Sequence, residues 1–280
     1  MKNIIVPKPK SDSLIHQLEV FYKTFKNIAA DENVIFDLSE INWIHPLIIL
    51  PIASHIYATN SDYQTRSNNV INRYLSIIHF PKGVNTFESC QKLKSFIPIT
   101  LIKENNPIER DKIIDCFLNL IYRTTNNIPK VNKSAIFYPI TELVTNIAEH
   151  SKKDYGFIFG QIYSKKKHLD ICILDKGRGL VQSYKQEKNI NLTDKEAIEK
   201  ALSGDSTKSL DRGYGIRTSK KTVCEGFNGD FSIISGEECF IANKTKNQIF
   251  TLPGFYWQGV IMAYRIPCPE RAVDIYQYLE

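Results

Sequence analysis

Residues 142–150 read ELVTNIAEH, and this spacing predicts a helix with one polar and one apolar side. With about 3.6 residues per turn, Leu143, Val144 and Ile147 fall together on the apolar side. The opposite side carries the polar residues of the segment, which are Glu142, Asn146, Glu149 and His150. A plain amphipathic surface helix has the same pattern, so this segment indicates a function only in combination with other motifs.

Glu142 and Asn146 lie one helical turn apart, which suits a site for a hard cation. The amide oxygen of Asn146 is a neutral ligand for Mg²⁺, whose other ligands would be phosphate oxygens and water. The carboxylate of Glu142 is a candidate general base for an attacking hydroxyl, a role that contributes roughly 10²- to 10⁴-fold to a rate.

A second motif, DKGRG at residues 175–179, directly follows the apolar strand LDICIL. A carboxylate at a strand end, here Asp175, can accept a hydrogen bond from the exocyclic amine of adenine. Gly177 and Gly179 then let the backbone approach a flat base closely. A glycine turn with a capping aspartate is the alternative interpretation, and the spacing from residues 142–150 favours the functional one.

The third motif, GDSTKSLDRGYG at residues 204–215, is a polar loop that leads into a helix predicted to begin near Gly215. Free backbone N–H groups at a helix start attract phosphate. Further donors are available from Ser206, Thr207, Lys208 and Arg212. A mobile surface loop is the alternative. The chain contains neither GxxxxGK[ST] nor GxGxxG, which excludes a P-loop and a dinucleotide fingerprint.

In this order and spacing, ELVTNIAEH, DKGRGL and RGYGIRTS resemble the ATP site of the GHKL superfamily, and most closely the anti-sigma factor serine kinases. The resemblance covers roughly residues 111–267. It implies a Bergerat fold, in which helices cover one face of a mixed sheet and ATP with Mg²⁺ lies between these helices and a lid.

The resemblance also implies a role for each matching residue. Glu142 would be the general base, Asn146 the Mg²⁺ ligand and Asp175 the residue that binds adenine. The other expected ATP-binding residues are Gly177, Gly179, Thr207, Lys208, Arg212, Gly213, Tyr214 and Gly215. One departure is that Gly259-Val260 stands where the family often has Gly-Thr, whose hydroxyl helps to bind adenine through water.

In the N-terminal part, residues 34–53 (VIFDLSEINWIHPLIILPIA) resemble the core of a STAS domain. Such domains carry a phosphorylated hydroxyl just before a helix, but here the step reads His45-Pro46-Leu47 and Leu47 has no hydroxyl. The resemblance therefore implies a docking or regulatory module rather than a kinase substrate. A generic small α/β domain is the alternative.

Together these features predict an α/β (α+β) protein with two domains. Residues 1–105 would form the STAS-like docking domain, and residues 106–280 would form a Bergerat-fold α/β sandwich. The pattern predicts helices at residues 46–57, 69–79, 111–122, 134–150, 193–204 and 213–224. Strands are expected at 34–38, 157–163 and 169–174 and within 230–267, and residues 98–107 are expected to be a connection.

The hydrophobic content, net charge and cysteine pattern indicate which classes of protein the chain can belong to. Hydrophobic residues make up 42% and charged residues 24%, the balance of a folded soluble chain. The net charge of +6 fits a lysine-rich surface and gives no strong nucleic-acid signal. Six cysteines without a CxxC pair argue against a zinc site and indicate a reducing, cytoplasmic environment. The apolar stretch 41–58 contains prolines and histidines, so we expect a buried helix rather than a membrane span.

Three functions remain at this stage. The first is an ATPase or serine/threonine protein kinase in bacterial-type signalling, acting with a protein partner, with monomer and homodimer both open. The alternative is an ATP-gated interaction module with little or no turnover. A histidine kinase ranks third, because neither His16 nor His79 has the sequence context of a phosphoacceptor.

Overall fold

The computed structural model describes residues 1–66, 70–92, 97–103, 106–124, 133–150, 155–205, 215–267 and 273–279. Within these residues the chain forms two β-sheets, one of three and one of seven strands, with helices packed against them. The fold is a mixed α+β fold, which confirms the predicted fold class.

The N-terminal unit, residues 1–92, contains a small parallel sheet whose strands lie in the order β1-β2-β3. Its elements are β1 (Lys2–Ile5), α1 (Leu14–Phe25), β2 (Val34–Asp37), α2 (Pro46–Ala58), β3 (Asp62–Gln64), α3 (Val70–Ile77) and α4 (Phe87–Gln91). The helices connect the parallel strands, as such strands require a crossover.

Helix α2 is the central packing element of the N-terminal unit. All ten residues from 46 to 55 are buried, because the helix packs on α1 and on the larger sheet. A helix that is apolar on all sides is buried in this way, so the predicted buried helix is confirmed. It begins at Pro46, and Nδ1 of His45 accepts the Leu47 N–H at 3.0 Å.

The larger sheet is antiparallel throughout, with strand order β4-β5-β6-β10-β7-β8-β9. Its strands are β4 (Thr100–Lys103), β5 (Tyr155–Tyr163), β6 (His168–Asp175), β7 (Asp230–Gly236), β8 (Glu238–Ala242), β9 (Asn247–Thr251) and β10 (Trp257–Pro267). The accompanying helices are α5 (Pro107–Thr124), α6 (Lys133–His150), α7 (Gly179–Lys188), α8 (Asp194–Ser203) and α9 (Gly215–Lys221). A π-helical turn, Thr222–Gly226, continues α9, and a 3₁₀ turn spans Ile275–Tyr278.

Strand β4 corrects the prediction that residues 98–107 form a connection. Thr100 pairs with Ile158 and Lys103 with Tyr155, so the segment is an edge strand of the larger sheet. Prolines and asparagines on both sides of TLIK gave strong turn signals, and four residues were too short a run to outweigh them. Strand β4 therefore lies on the N-terminal side of the predicted domain boundary at 105/106, but it pairs with β5, which lies on the C-terminal side.

Both faces of the larger sheet are covered. On β6, Ile171 and Ile173 pack into the cluster formed with α5, α6, α8 and α9, whereas Cys172 and Leu174 pack into the cluster formed with the N-terminal unit. Side chains alternate between the faces of a strand, so every residue of β6 is buried. We call these two sides the helical face and the N-terminal face.

A polar cluster lies within the N-terminal face. The carboxylate of Asp170 is fully buried and accepts two bonds from Arg265, at 2.6 and 2.8 Å. Nε2 of His45 lies 3.0 Å from the same carboxylate. Burial opposes ionisation, but His45, Arg265 and His168 hold the pKa of Asp170 well below its usual range. This cluster joins the start of α2 to the middle of the sheet.

Candidate functional site

The end of β6 divides the second motif between the two faces of the sheet. Alternation along the strand puts Asp175 on the helical face with Ile171 and Ile173. The next residue, Lys176, turns to the other face, where Nζ lies 3.4 Å from Nδ1 of His55. Adjacent residues of one motif therefore contact different parts of the molecule.

Asp175 is a buried carboxylate with backbone partners. Its side chain accepts the Gly177 N–H at 2.6 Å and also a hydrogen bond from the Val260 N–H. Burial raises the pKa of Asp175 to about 7, and the two backbone N–H groups only partly oppose this effect. A ligand that donates a further hydrogen bond would therefore stabilise the ionised form of this carboxyl.

Gly259 of β10 lies directly against Asp175. Its φ is +110°, and a Cβ at this position would lie 2.8 Å from Oδ1 of Asp175 and closer still to its backbone oxygen. Only glycine fits without moving the strand end. The expected Gly-Thr position is thus in contact with Asp175, although Val260 supplies a backbone N–H and no hydroxyl.

Ser235 connects the glycine turn to β10, a role that the sequence analysis did not identify. Its hydroxyl donates to the Gly259 carbonyl at 2.9 Å and accepts the Leu180 N–H at 3.3 Å. Gly179, with φ of +75°, lies directly against it at the start of α7. A small hydroxyl residue at the end of the apolar strand β7 was the only available signal, and it is a weak one.

Glu142 and Gly215 bring the first and third motifs together. Both lie on the helical face, where α6 packs on β5, β6 and α9. A Cβ on Gly215 would lie 2.5 Å from Oε2 of Glu142, so the glycine leaves room for this carboxylate. Burial and the Glu142 charge raise the pKa of Tyr138, one turn earlier on α6. Asn146, one turn later, is half-buried.

The remaining residues of the third motif lie outside the described residues. They are residues 206–214, which include Ser206 and the expected ATP-binding residues Thr207, Lys208, Arg212, Gly213 and Tyr214. On one side of this segment, Gly204 ends α8 with φ of 90°. On the other side, the described part of the helix predicted at residues 213–224 is α9, Gly215–Lys221, followed by the π-helical turn Thr222–Gly226.

Lys176 and Trp257 are the most informative residues that the sequence analysis missed. Lys176 Nζ lies 5.2 Å from the centre of the Trp257 ring, beside a cavity of about 30 Å³ between the N-terminal unit and β10. Burial lowers the pKa of Lys176 to about 8. Burial and the nearby Lys176 lower the pKa of His55 to about 4. The Trp257 indole N–H donates to the Asp175 carbonyl at 3.0 Å.

The described part of the chain contains neither a ready cluster of metal-ligating side chains nor a helix that could span a membrane. No group of three or more His, Cys, Asp or Glu side chains there is arranged to hold a metal ion. A Mg²⁺ ion at Asn146 would thus depend on phosphate oxygens and water for its other ligands. None of the described helices has the length and apolar character that crossing a membrane requires.

No protein-family model matches the chain, and no curated protein does. Among solved structures, the histidine kinase domain from the Erythrobacter litoralis EL346 blue-light activated histidine kinase is similar over 55% of this chain and 61% of that chain. The identity is 15% and the TM-score is 0.29. The chain therefore spans less than two thirds of that structure, and a similarity of this degree carries no inference about function.

Proposed function

We propose that the chain binds ATP with Mg²⁺ on the helical face of the larger sheet and acts on the γ-phosphate, as an ATPase or a serine/threonine protein kinase in signalling. The observation that carries the proposal is Asp175, a buried carboxylate with a raised pKa at a strand end, bounded by glycines. Groups perturbed in this way are concentrated at functional sites. The exocyclic amine of adenine would supply the hydrogen bond that Asp175 can still accept.

The other end of the site would bind the phosphates and the attacking group. Glu142 lies against Gly215, the first described residue of α9 and the last residue of the third motif. In the proposal, Glu142 takes the proton of the attacking hydroxyl, while Asn146 offers its amide oxygen to Mg²⁺. When bound, the ion would neutralise phosphate charge.

The N-terminal unit is proposed to be a docking or regulatory module. Leu47 is fully buried, and His45 is 1% exposed, so no side chain of this helix start is available to accept a phosphate. A phosphoacceptor, if the reaction is a kinase reaction, would belong to a separate protein partner. Whether the chain forms a homodimer remains a prediction.

An ATP-gated module with little turnover is the second candidate. It is favoured by the contact of Lys176 with His55 and by Trp257, which bonds to Asp175 and packs on Phe25, because these contacts link the proposed nucleotide site to the N-terminal unit. Binding at Asp175 would then alter the N-terminal surface without chemistry.

The two candidates are separated by ATP labelled at the γ-phosphate, incubated with the chain alone and with a lysate of its host. Labelled phosphate in solution indicates an ATPase, and label on a protein serine or threonine indicates a kinase. Glu142→Gln should retain ATP binding and lose roughly 10²- to 10⁴-fold in turnover, as expected for removal of a general base. Glu88→Gln, the same change on the exposed surface of α4, should behave as the wild type.

Wild-type turnover by Glu142→Gln would refute the assigned role, and so would an equal loss of binding and turnover. Tight ATP binding by the wild type without release or transfer of phosphate would support the gated module instead.

A further inference from the structure

Trp257 lies where the N-terminal unit meets the end of β6. Trp257 is 4% exposed, and its ring packs edge-on against Phe25 of α1 with ring centres 6.0 Å apart and at a tilt against Phe21 at 6.4 Å. On its other side the indole N–H donates to the Asp175 carbonyl. One side chain thus contacts both α1 and the backbone of the proposed adenine-binding residue.

Lys176 makes a second connection between the end of β6 and the N-terminal unit. Its ammonium group lies over the Trp257 ring and beside His55 of α2, while Nε2 of His55 is 2.9 Å from the Glu32 carbonyl. Helix α1 is therefore connected to the backbone of residue 175 through Trp257, and helix α2 contacts the side chain of residue 176 through His55.

The β10 strand is irregular at this point. Its register with β7 shifts between Trp257 and Ile261, and the intervening residues include Gly259 and Val260, both in contact with Asp175. A bulge of this kind re-aims groups beside a site. Trp257 is the paired residue at one end of this irregularity, and Val260, whose N–H meets the carboxylate, lies three residues further along the strand.

We propose that Trp257 is a positioning residue for Asp175 and that it transmits the packing of the N-terminal unit to base recognition. This inference rests on the proposed function, because it names the device that sets the selectivity of the same site. Recognition of a base amine requires the carboxylate within roughly 0.5 Å of its best position. An aromatic residue that serves only as core packing would change stability but not the preference for adenine.

The test compares the affinities of the full chain for ATP and for inosine triphosphate, which lacks the exocyclic amine, with inorganic triphosphate as a third ligand. Trp257→Phe keeps an aromatic ring and removes the N–H. We expect its preference for ATP over inosine triphosphate to fall roughly fivefold, the effect of one hydrogen bond. Its affinity for inorganic triphosphate should stay unchanged. Trp43→Phe, at the other tryptophan, is the matched control and should keep the wild-type preference.

Phe25→Leu tests transmission from α1, because it loosens the contact with the Trp257 ring and leaves the hydrogen bond in place. We expect a smaller fall in the same preference. An unchanged preference in Trp257→Phe would overturn the positioning role, and an unchanged preference in Phe25→Leu would overturn transmission from the N-terminal unit. A wild type that does not bind ATP, or does not prefer it to inosine triphosphate, would refute the proposed function itself.

Tryptophan fluorescence provides a second measurement, which can be made even if the Trp257→Phe variant does not fold. The chain has two tryptophans, so Trp43→Phe leaves Trp257 as the only one. Saturating ATP should change its emission, and the same change should be absent when Asp175→Asn is added. Unchanged Trp257 emission in a variant that retains ATP binding would contradict the inference.

Discussion

At the scale of single residues, burial makes ionisation of the Asp175 carboxyl unfavourable, and its hydrogen-bond partners offset this effect only in part. The described groups that bond to its carboxylate are two backbone N–H groups, and the adjacent Lys176 turns to the opposite face. A rise of the pKa from 3.8 to about 7 corresponds to a cost of ionisation on the order of 4 kcal/mol. Such a residue reduces stability at neutral pH, which is consistent with retention for a function.

The pH dependence of stability follows from this raised pKa. The folded state prefers protonated Asp175, so its contribution is fully present below the unfolded pKa near 4 and is lost as the pH rises through about 7. Asp175→Asn cannot ionise and should lose less stability than the wild type between pH 5 and pH 8. The measurement is urea unfolding at both pH values, with exposed Asp31→Asn as the control. Parallel losses in wild type and Asp175→Asn would show that the carboxyl is not perturbed.

At the scale of elements, the candidate site depends on the turn after β6 and on the bulge in β10. Gly259 brings the two together because its positive φ and missing side chain let the backbone lie against Asp175. Ser235 and Gly179 complete the contact from β7 and α7. This part of the candidate site is therefore built from segments that are far apart in the sequence.

Gly259→Ala should destabilise the chain, since the new Cβ would meet Asp175 and the residue would keep a strained φ. We expect a loss of roughly 1–3 kcal/mol. Gly160→Ala is a matched control in β5, where an added Cβ meets its neighbours at 3.6 Å, an ordinary contact distance. Thermal unfolding should show a lower midpoint for Gly259→Ala than for Gly160→Ala. Equal midpoints would mean that the strand end adapts without strain.

Patterns among residues that are close in the sequence predicted several of the helices. The apolar stretch 41–58 indicated α2, the 3.6-residue period indicated α6, and the helix predicted from residue 193 is α8, which begins with a capping box of Thr193 and Glu196. Asp175 and Glu142 stood out through motifs of a few residues. Gly259-Val260 was placed near the base only through the resemblance, and the bond from the Trp257 indole to Asp175 was missed, because both come from a strand that is distant in the sequence. The four-residue strand β4 was missed for the same reason, since its pairing is not local.

At the scale of the whole molecule, the N-terminal unit covers one face of the larger sheet. Apolar residues of that face, including Phe157, Phe159 and Leu174, share one hydrophobic cluster with α1 and α2. The buried Asp170 carboxylate also depends on His45 from the unit. Removing the unit would expose this surface and leave part of the polar cluster without its partners.

A fragment of residues 106–280 should therefore not behave as an independent domain. It lacks β4 and the cover of the N-terminal face, so we expect aggregation or loss of cooperative unfolding. Size-exclusion chromatography and thermal unfolding would compare it with the full chain. Co-expression with residues 1–105 should recover soluble material if the two parts fit together as in the intact chain. A monomeric 106–280 fragment that unfolds cooperatively would contradict this expectation and support two separable domains.

The central claim is that Asp175 binds the adenine of ATP. The most direct measurement is calorimetric titration of the full chain with Mg²⁺-ATP, for the wild type and for Asp175→Asn. Hydrogen bonds to a charged group contribute about 1.5–3 kcal/mol, so the variant should bind roughly ten- to a hundredfold more weakly. Equal affinities, or no binding of ATP to the wild type, would contradict the claim.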